Sequence, residues 1–535
     1  MANEQVGLLM ASPLPTCPDR PAISFSVCLD VAGRSPAPTK SARIATTILL
    51  ANPAVKRQCL HCCVSAWRFR IATMAVLKLF SIFCVLFVSF VSAGKHDIYS
   101  GYTAHGVKLT TQSHLQLLAE LSESLNLDEW QHGAVGQRDA LYMVSPENKA
   151  KFLEELEKNS VENYLHLEDV ATALEEHDAV IARYQQSRSS RMVFENYPRY
   201  AEAALLAAPV PRRPPPPQHV PDVCAQVLLQ VQVVDAYLER IAAEYPDIVT
   251  LVNAGSSFEN RAIKYLKIST TNFTDTSKPI YYMDAMIHSR EWVTTPVALY
   301  SIHRLVEDLR EQDRDLLETI DWIIHPIVNP DGYEYTHTNV RLWRRTRSYY
   351  PEISETCWGI DANRNFDVSF NTVGVSSNPC SDVYPGHEPF SEVESRIVRD
   401  IIQEHLDRMQ LYMNIHSHGN WVLYGFGNAS LPANVAQIHH VGATMGAEMD
   451  AVKLPEAGYY LVGNSALILY ATSGSAQDYG QDVGVPFSYT LELPGYGQDF
   501  RVPPQYIDHI NAETWRGLAA TARLARVYYN ARNAN

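Results

Sequence analysis

Four short apolar runs limit the folds open to this chain: Ile280–Ile287, Asp321–Val328, Met409–Ile415 and Phe487–Leu493. Each is rich in β-branched and aromatic residues and too short for a buried helix. Between them lie helical stretches such as Pro296–Leu309, with Leu299, Ile302, Leu305, Val306 and Leu309 on one side. Strands apolar on both faces must be covered on both faces. The pattern predicts an α/β fold with a mainly parallel, twisted sheet and helices on both sides. In such folds the chemistry gathers beyond the strand ends.

Upstream, residues 94–191 have a different rhythm. Val107-Lys108-Leu109, Ala140–Val144 and Tyr164–Leu167 read as strands. Leu115, Leu118, Leu121 and Leu125 mark one helix, and Pro146 opens a second with Leu153, Leu156 and Val161 on its apolar side. This is a small α+β domain. It ends in the polar run Gln185–Arg191, an exposed site for proteolysis.

Leu79–Gly94 carries no charge, follows Lys78 and ends in Val91-Ser92-Ala93. That is short for a membrane span and has the layout of a signal peptide, 74–93, with Met74 as the start. Residues 1–73 are then an upstream extension outside the mature protein, the alternative being a signal anchor within a longer chain. Residues 203–232 hold six prolines between Pro209 and Pro217 and form an atypical Pro-rich insertion or a linker. The net charge of −15 argues against nucleic acid and anionic membranes as partners.

The run MDAMIHSREW ends a strand on His288 and Glu291. Imidazole and carboxylate are ordinary zinc ligands, but a lone HxxE is equally a capping pair. His416 closes the strand Met409–Ile415 and supplies a third donor 125 residues beyond Glu291. His418 competes with it, one step further out on the same face of an extended strand. A hydrolytic metal site also needs a base. Glu492, among apolar neighbours near a strand end, fits that role or a buried salt bridge. Arginines cluster in NVRLWRRTRS and DANRNF, where a solvated face and a carboxylate-binding group are the two readings.

The segments HSREW, NPDGYEYTHTNVRLWRRTRS, DANRNF, IHS, the tyrosine of Leu469-Tyr470-Ala471, and YTLEL, in this order, resemble the zinc metallocarboxypeptidases of the pancreatic A/B type. The resemblance runs over roughly 94–535 and implies a mixed sheet of about eight strands. It implies one Zn²⁺ held by His288, Glu291 and His416, with Glu492 as general base and Arg344 stabilising the oxyanion. Asn363, Arg364 and Tyr470 match the grip on the substrate's terminal carboxylate. Arg290, Arg341 and Ser417 match accessory substrate-path positions, and Gln477 the base of the side-chain pocket. Cys357 and Cys380 match a family disulfide. Residues 94–191 resemble the inhibitory propeptide, removed after Arg188 or Arg191 by a trypsin-like protease, leaving a catalytic domain at 192–535. The implied product is a secreted enzyme that takes peptides with free C-termini.

The departures concern specificity. Gln477 is neutral where B-type relatives carry an acid, so the chain leans towards uncharged C-terminal residues. Ser475 replaces a pocket glycine, and His418 an aromatic. Two rivals are a non-catalytic binder of peptide C-termini and a zinc amidohydrolase with a similar HxxE…H…E layout. The first predicts loss of a ligand or of the base, and all four are present. The signal peptide, propeptide and Asn363/Arg364/Tyr470 speak against the second.

Overall fold

The computed structural model describes residues 94–187, 193–195, 197, 233–496 and 499–534, which lie in one compact unit, Ala93–Asn535. The expected extension 1–73, signal peptide, cleavage residues Arg188 and Arg191, and Pro-rich segment 203–232 fall outside them.

The N-terminal module is a four-stranded sheet of β1 (Thr103–Val107), β2 (Asp128–Gln131), β3 (Ala140–Val144) and β4 (Asn163–Leu167), in the order β2-β3-β1-β4. Helices Gln112–Leu125 and Lys149–Lys158 cover one face, burying Leu118, Leu121, Phe152 and Leu156 against Val107 and Tyr142. The first strand lies upstream of the expected Val107–Leu109, and β2 has no counterpart in the sequence reading. Its four residues, DEWQ, carry one apolar side chain and so no alternation. Pro146 begins a turn, and the helix starts only at Lys149.

The larger domain holds β5 (Val249–Ser256), β6 (Ala262–Ile268), β7 (Ile280–Ala285), β8 (Asp321–His325), β9 (Met409–Ser417), β10 (Trp421–Tyr424), β11 (Leu461–Asn464) and β12 (Phe487–Leu493). They form one eight-stranded sheet in the order β11-β10-β12-β9-β7-β8-β6-β5. The central strands β8, β7, β9 and β12 run parallel; β5 pairs antiparallel with β6, β6 with β8 and β10 with β12, and β11 runs parallel to β10. The expected mixed, mainly parallel sheet is therefore present. Helices Thr294–Val306 and Ile507–Asn533 close one face, with Leu299, Ile302, Leu518 and Ala522 buried on Tyr281 and Met413. Helices Val393–Glu404 and Ala476–Val483 close the other over Tyr282 and Tyr412.

Two boundaries differ from expectation for local reasons. β8 stops at His325 because Pro326 has no N–H to donate to the ladder. β7 stops at Ala285 because Met286 turns left-handed (φ 61°) and swings the chain off the sheet. The helix expected to reach Leu309 ends at Val306. Cys357 and Cys380 are bonded, as expected, across a separation of 23 residues. Among the described residues no helix is long and apolar enough to cross a membrane.

Glu394, in the first turn of helix Val393–Glu404, is 2% exposed and its Oε1 has no hydrogen-bond partner. Burial, then the neighbouring Glu392, raises its pKa well above the ordinary value. The unfolded carboxyl ionises first as pH rises, so this group's contribution is present at low pH and lost above about pH 4.3. Glu394→Gln removes that loss. Thermal melts at pH 5 to 8 should show the variant gaining on the parent by up to about 1.4 kcal/mol per pH unit.

Candidate metal centre

Two parallel ladders set the centre's coordinates. β7 lies beside β9, and β9 beside β12, with Glu492 paired directly to His416. Beyond β7 the turn brings His288 and Glu291 back over the strand ends, tied by the Ser289 N–H donating to the Arg344 carbonyl (3.1 Å). His288, Glu291 and His416 each offer a ligand atom, all within 4.8 Å of one another. His288 Nδ1 lies 2.9 Å from Glu291 Oε1, and His416 Nδ1 lies 3.0 Å from Oε2. Two imidazole nitrogens and a carboxylate converging on one point, with a side left open to a cavity, are the donor set of a catalytic zinc ion.

The outer nitrogens are also held. His288 Nε2 meets Asp361 Oδ1 at 3.0 Å, which leaves the Nδ1 lone pair for a metal. His416 Nε2 meets Asn414 Oδ1, and Asn414 in turn donates to Asp284 Oδ1 (2.5 Å). Tyr412 donates to the other oxygen of Asp284 (2.7 Å). Burial is the main reason the Asp284 carboxyl is pushed up to about 6. Asp361 accepts a second charged partner on Oδ2, the Nε and terminal N–H of Arg344, at 3.1 and 3.0 Å. The sequence reading named neither aspartate. Asp361 could have been found, because it opens the quoted DANRNF run; Asp284 sits unmarked inside a strand.

Glu492 and Arg344 line the same cavity as the three donors. Burial, opposed by His416 and reinforced by Glu291, raises the Glu492 carboxyl to about 7. Asn363, Arg364 and Tyr470 also line it. Asn363 Oδ1 accepts from the Ala476 N–H (2.8 Å), and Arg364 donates to the Tyr470 hydroxyl (3.0 Å). The Arg364 backbone is clamped by Gly474 (φ 71°), where a Cβ would come within 2.2 Å of the Arg364 carbonyl oxygen. Gln477 forms part of the wall; its Oε1 accepts from Thr490 and its amide nitrogen lies 3.4 Å from Asp478 Oδ1.

Three expected site residues are not in the cavity lining. Arg341 is wholly buried with the N-terminal module in place, stacked 3.6 Å over Trp292 and donating to the carbonyls of Arg290 and Phe500. Arg290 is 2% exposed and donates to Asp128 Oδ1 of the N-terminal module (2.8 Å). The Ser417 N–H donates to Glu291 Oε2 (3.2 Å). His418 lies past the end of β9, and its ring packs edge-on to Phe500 away from the donor set.

Residues 234–517 match the zinc carboxypeptidase family, and residues 106–177 the carboxypeptidase activation peptide. A carboxypeptidase B of Helicoverpa zea is 41% identical over 452 residues, 82% of this chain and 97% of the relative. The chain belongs to the zinc carboxypeptidase family. A carboxypeptidase B of Astacus astacus is 34% identical over 56% of this chain and 96% of the relative. The crystal structure of a carboxypeptidase A from Helicoverpa armigera superposes with a TM-score of 0.72 at 39% identity, covering 80% of this chain and 98% of that one. The protein is a metallocarboxypeptidase with zinc as its cofactor, made with an activation peptide.

That activation peptide lies over the carboxypeptidase's cavity. The sheet face opposite its helices packs Trp130, Leu141 and Met143 with Leu342 and Phe500 of the larger domain. The His132 ring sits 4.5 Å from that of Tyr470. Arg138 lies 4.5 Å over Trp421 and donates to the Ile468 carbonyl (3.2 Å).

Asp361→Asn keeps the shape but removes the charge that orients His288. Zinc affinity, measured by competition with a chromophoric chelator, should fall by roughly 10–100-fold.

Proposed function

We propose that this carboxypeptidase is secreted as a zymogen, loses residues 94–191 to a trypsin-like protease acting after Arg188 or Arg191, and then removes single C-terminal residues from peptides. Its preference is for uncharged side chains. One observation carries the reading: Glu492 stands beside His416 on the neighbouring strand, in the same cavity as the metal donors and the Asn363/Arg364/Tyr470 group.

When bound by His288, Glu291 and His416, zinc supplies Lewis acidity towards the scissile carbonyl and the attacking water. Arg364 binds the terminal carboxylate with its charge, while Asn363 and the Tyr470 hydroxyl supply donors at its side. Because this grip is fixed relative to Glu492, only the last peptide bond reaches the base. Glu492 takes the proton from the attacking water at a carboxylate oxygen and passes it to the departing amine nitrogen. Burial suits it to both tasks, since a carboxyl pushed up to about 7 both accepts and returns a proton near neutrality. Arg344, oriented by Asp361, presents its guanidinium to the oxygen that gains charge. Arg290 is engaged by Asp128 in the zymogen and loses that partner when the module leaves, keeping Asp382 of the larger domain at 3.5 Å.

The pocket's uncharged Gln477 supports the uncharged preference. A basic preference draws on Asp478, 3.4 Å from the Gln477 amide nitrogen, and on the name carboxypeptidase B carried by the Helicoverpa zea relative.

Trypsin-processed enzyme should release C-terminal residues in a chelator-sensitive manner, and zinc should restore the activity. Glu492→Gln should keep its zinc content and lose roughly 10²–10⁴-fold in kcat. The parent's kcat/KM should rise with pH through an acid limb at or below about 7, as Glu492 loses its proton. No release from folded, zinc-bound, processed enzyme would favour a protein that only binds peptide C-termini.

A further inference from the structure

The side-chain pocket has an unusual lining for its size. Ser465, Thr472, Ser475, Gln477 and Thr490, all with hydroxyl or amide side chains, line it together with two apolar residues, Leu423 and Leu469. Most of these groups are already engaged. The Ser475 hydroxyl accepts from the Asp478 N–H, and Thr490 donates to Gln477 Oε1. Ser465 is different: it is 4% exposed and its Oγ has no hydrogen-bond partner. A buried hydroxyl without a partner is rare in a folded protein. Ser465 lines the cavity, beside the space that a bound side chain would occupy.

Resting on the function proposed above, we infer that this pocket selects C-terminal residues with uncharged, hydrogen-bonding side chains, glutamine and asparagine above leucine and phenylalanine, with the Ser465 hydroxyl as the specificity determinant. A carboxamide brings one acceptor and two donors, so it satisfies Ser465 and the spare amide hydrogen of Gln477 together. A leucine or phenylalanine fills the same space, excludes water and leaves both groups unpaired, which is how polar sites reject apolar analogues. Lysine and arginine find no anion on the wall. The carboxylate of Asp478 lies behind Gln477, with its oxygens taken by the Gly427 N–H (2.7 Å) and the Gln477 amide. Burial also raises that carboxyl to about 6, which weakens it as a counter-ion. Glutamate would bring its charge up to the same carboxyl.

The test uses zinc-loaded full-length chain processed with trypsin, on peptides that differ only in the last residue. For the parent, kcat/KM for glutamine should exceed that for leucine by about tenfold or more, the size of one unmade buried hydrogen bond. Ser465→Ala should lower the glutamine value severalfold and leave leucine unchanged or improved. Gln477→Leu should move the preference to leucine. Equal melting temperatures for parent and Ser465→Ala assign the change to the pocket. Release led by leucine, phenylalanine, lysine or arginine overturns the inference, as does a Ser465→Ala variant that slows every substrate alike. Absence of release from every peptide, with zinc bound, overturns the catalytic reading beneath it.

Discussion

The centre depends on one buried carboxylate, Asp361. It holds His288 on one oxygen and Arg344 on the other, so a candidate metal ligand and the cation proposed to meet the oxyanion share a single anchor. Burying a carboxylate unpaired costs several kcal/mol, so the group persists only because two charged or chargeable partners surround it. Arg344, Asp361, His288 and Glu291 thereby form a chain of contacting polar groups, and burial, opposed by Arg344 and then His288, still leaves Asp361 well below the usual carboxylate range. Removing any one member would strand its neighbours in a medium that cannot solvate them.

The activation peptide exploits the same economy of charge at the cavity mouth. Arg290 is nearly inaccessible, and its partner Asp128 comes from the covering module. Around that pair the contact is apolar, through Trp130, Leu342 and Phe500. A dry surround keeps the ion pair strong and also makes its separation costly. The module thus blocks the site by the same forces that hold a domain core together, and separation uncovers Leu342 and Phe500 beside the entrance.

The sequence made the four central strands β7, β8, β9 and β12 and the candidate ligands at their ends readable, for a physical reason, whereas β5, β6, β10 and β11 went unread. Strands buried on both faces are mainly apolar, so His416 and Glu492 stand out near strand ends and His288 just beyond one. Contacts made across the fold leave no such mark. Asp361 and Asp284 act through residues far away in the chain, and β2 is too short and polar to show a period. Arg341 and Arg290 were expected along the substrate path from the family resemblance. In the structure Arg341 meets the flat face of Trp292 and two carbonyls, contacts that no sequence pattern marks. The pairing of Cys357 with Cys380 came from the family resemblance, and the structure bears it out.

Glu492 and His416 face each other across two hydrogen-bonded parallel strands. Their separation is therefore inherited from the spacing common to β-sheets, about 4.8 Å, rather than tuned by the side chains around them. The sheet acts as a ruler. Residues on either face can be exchanged without moving the proposed base relative to the candidate ligand, and the pocket wall can diversify while the distance between them stays fixed. The same ruler is unforgiving of length: one residue gained or lost within β12 would turn Glu492 to the opposite face of the sheet and leave a leucine against the metal.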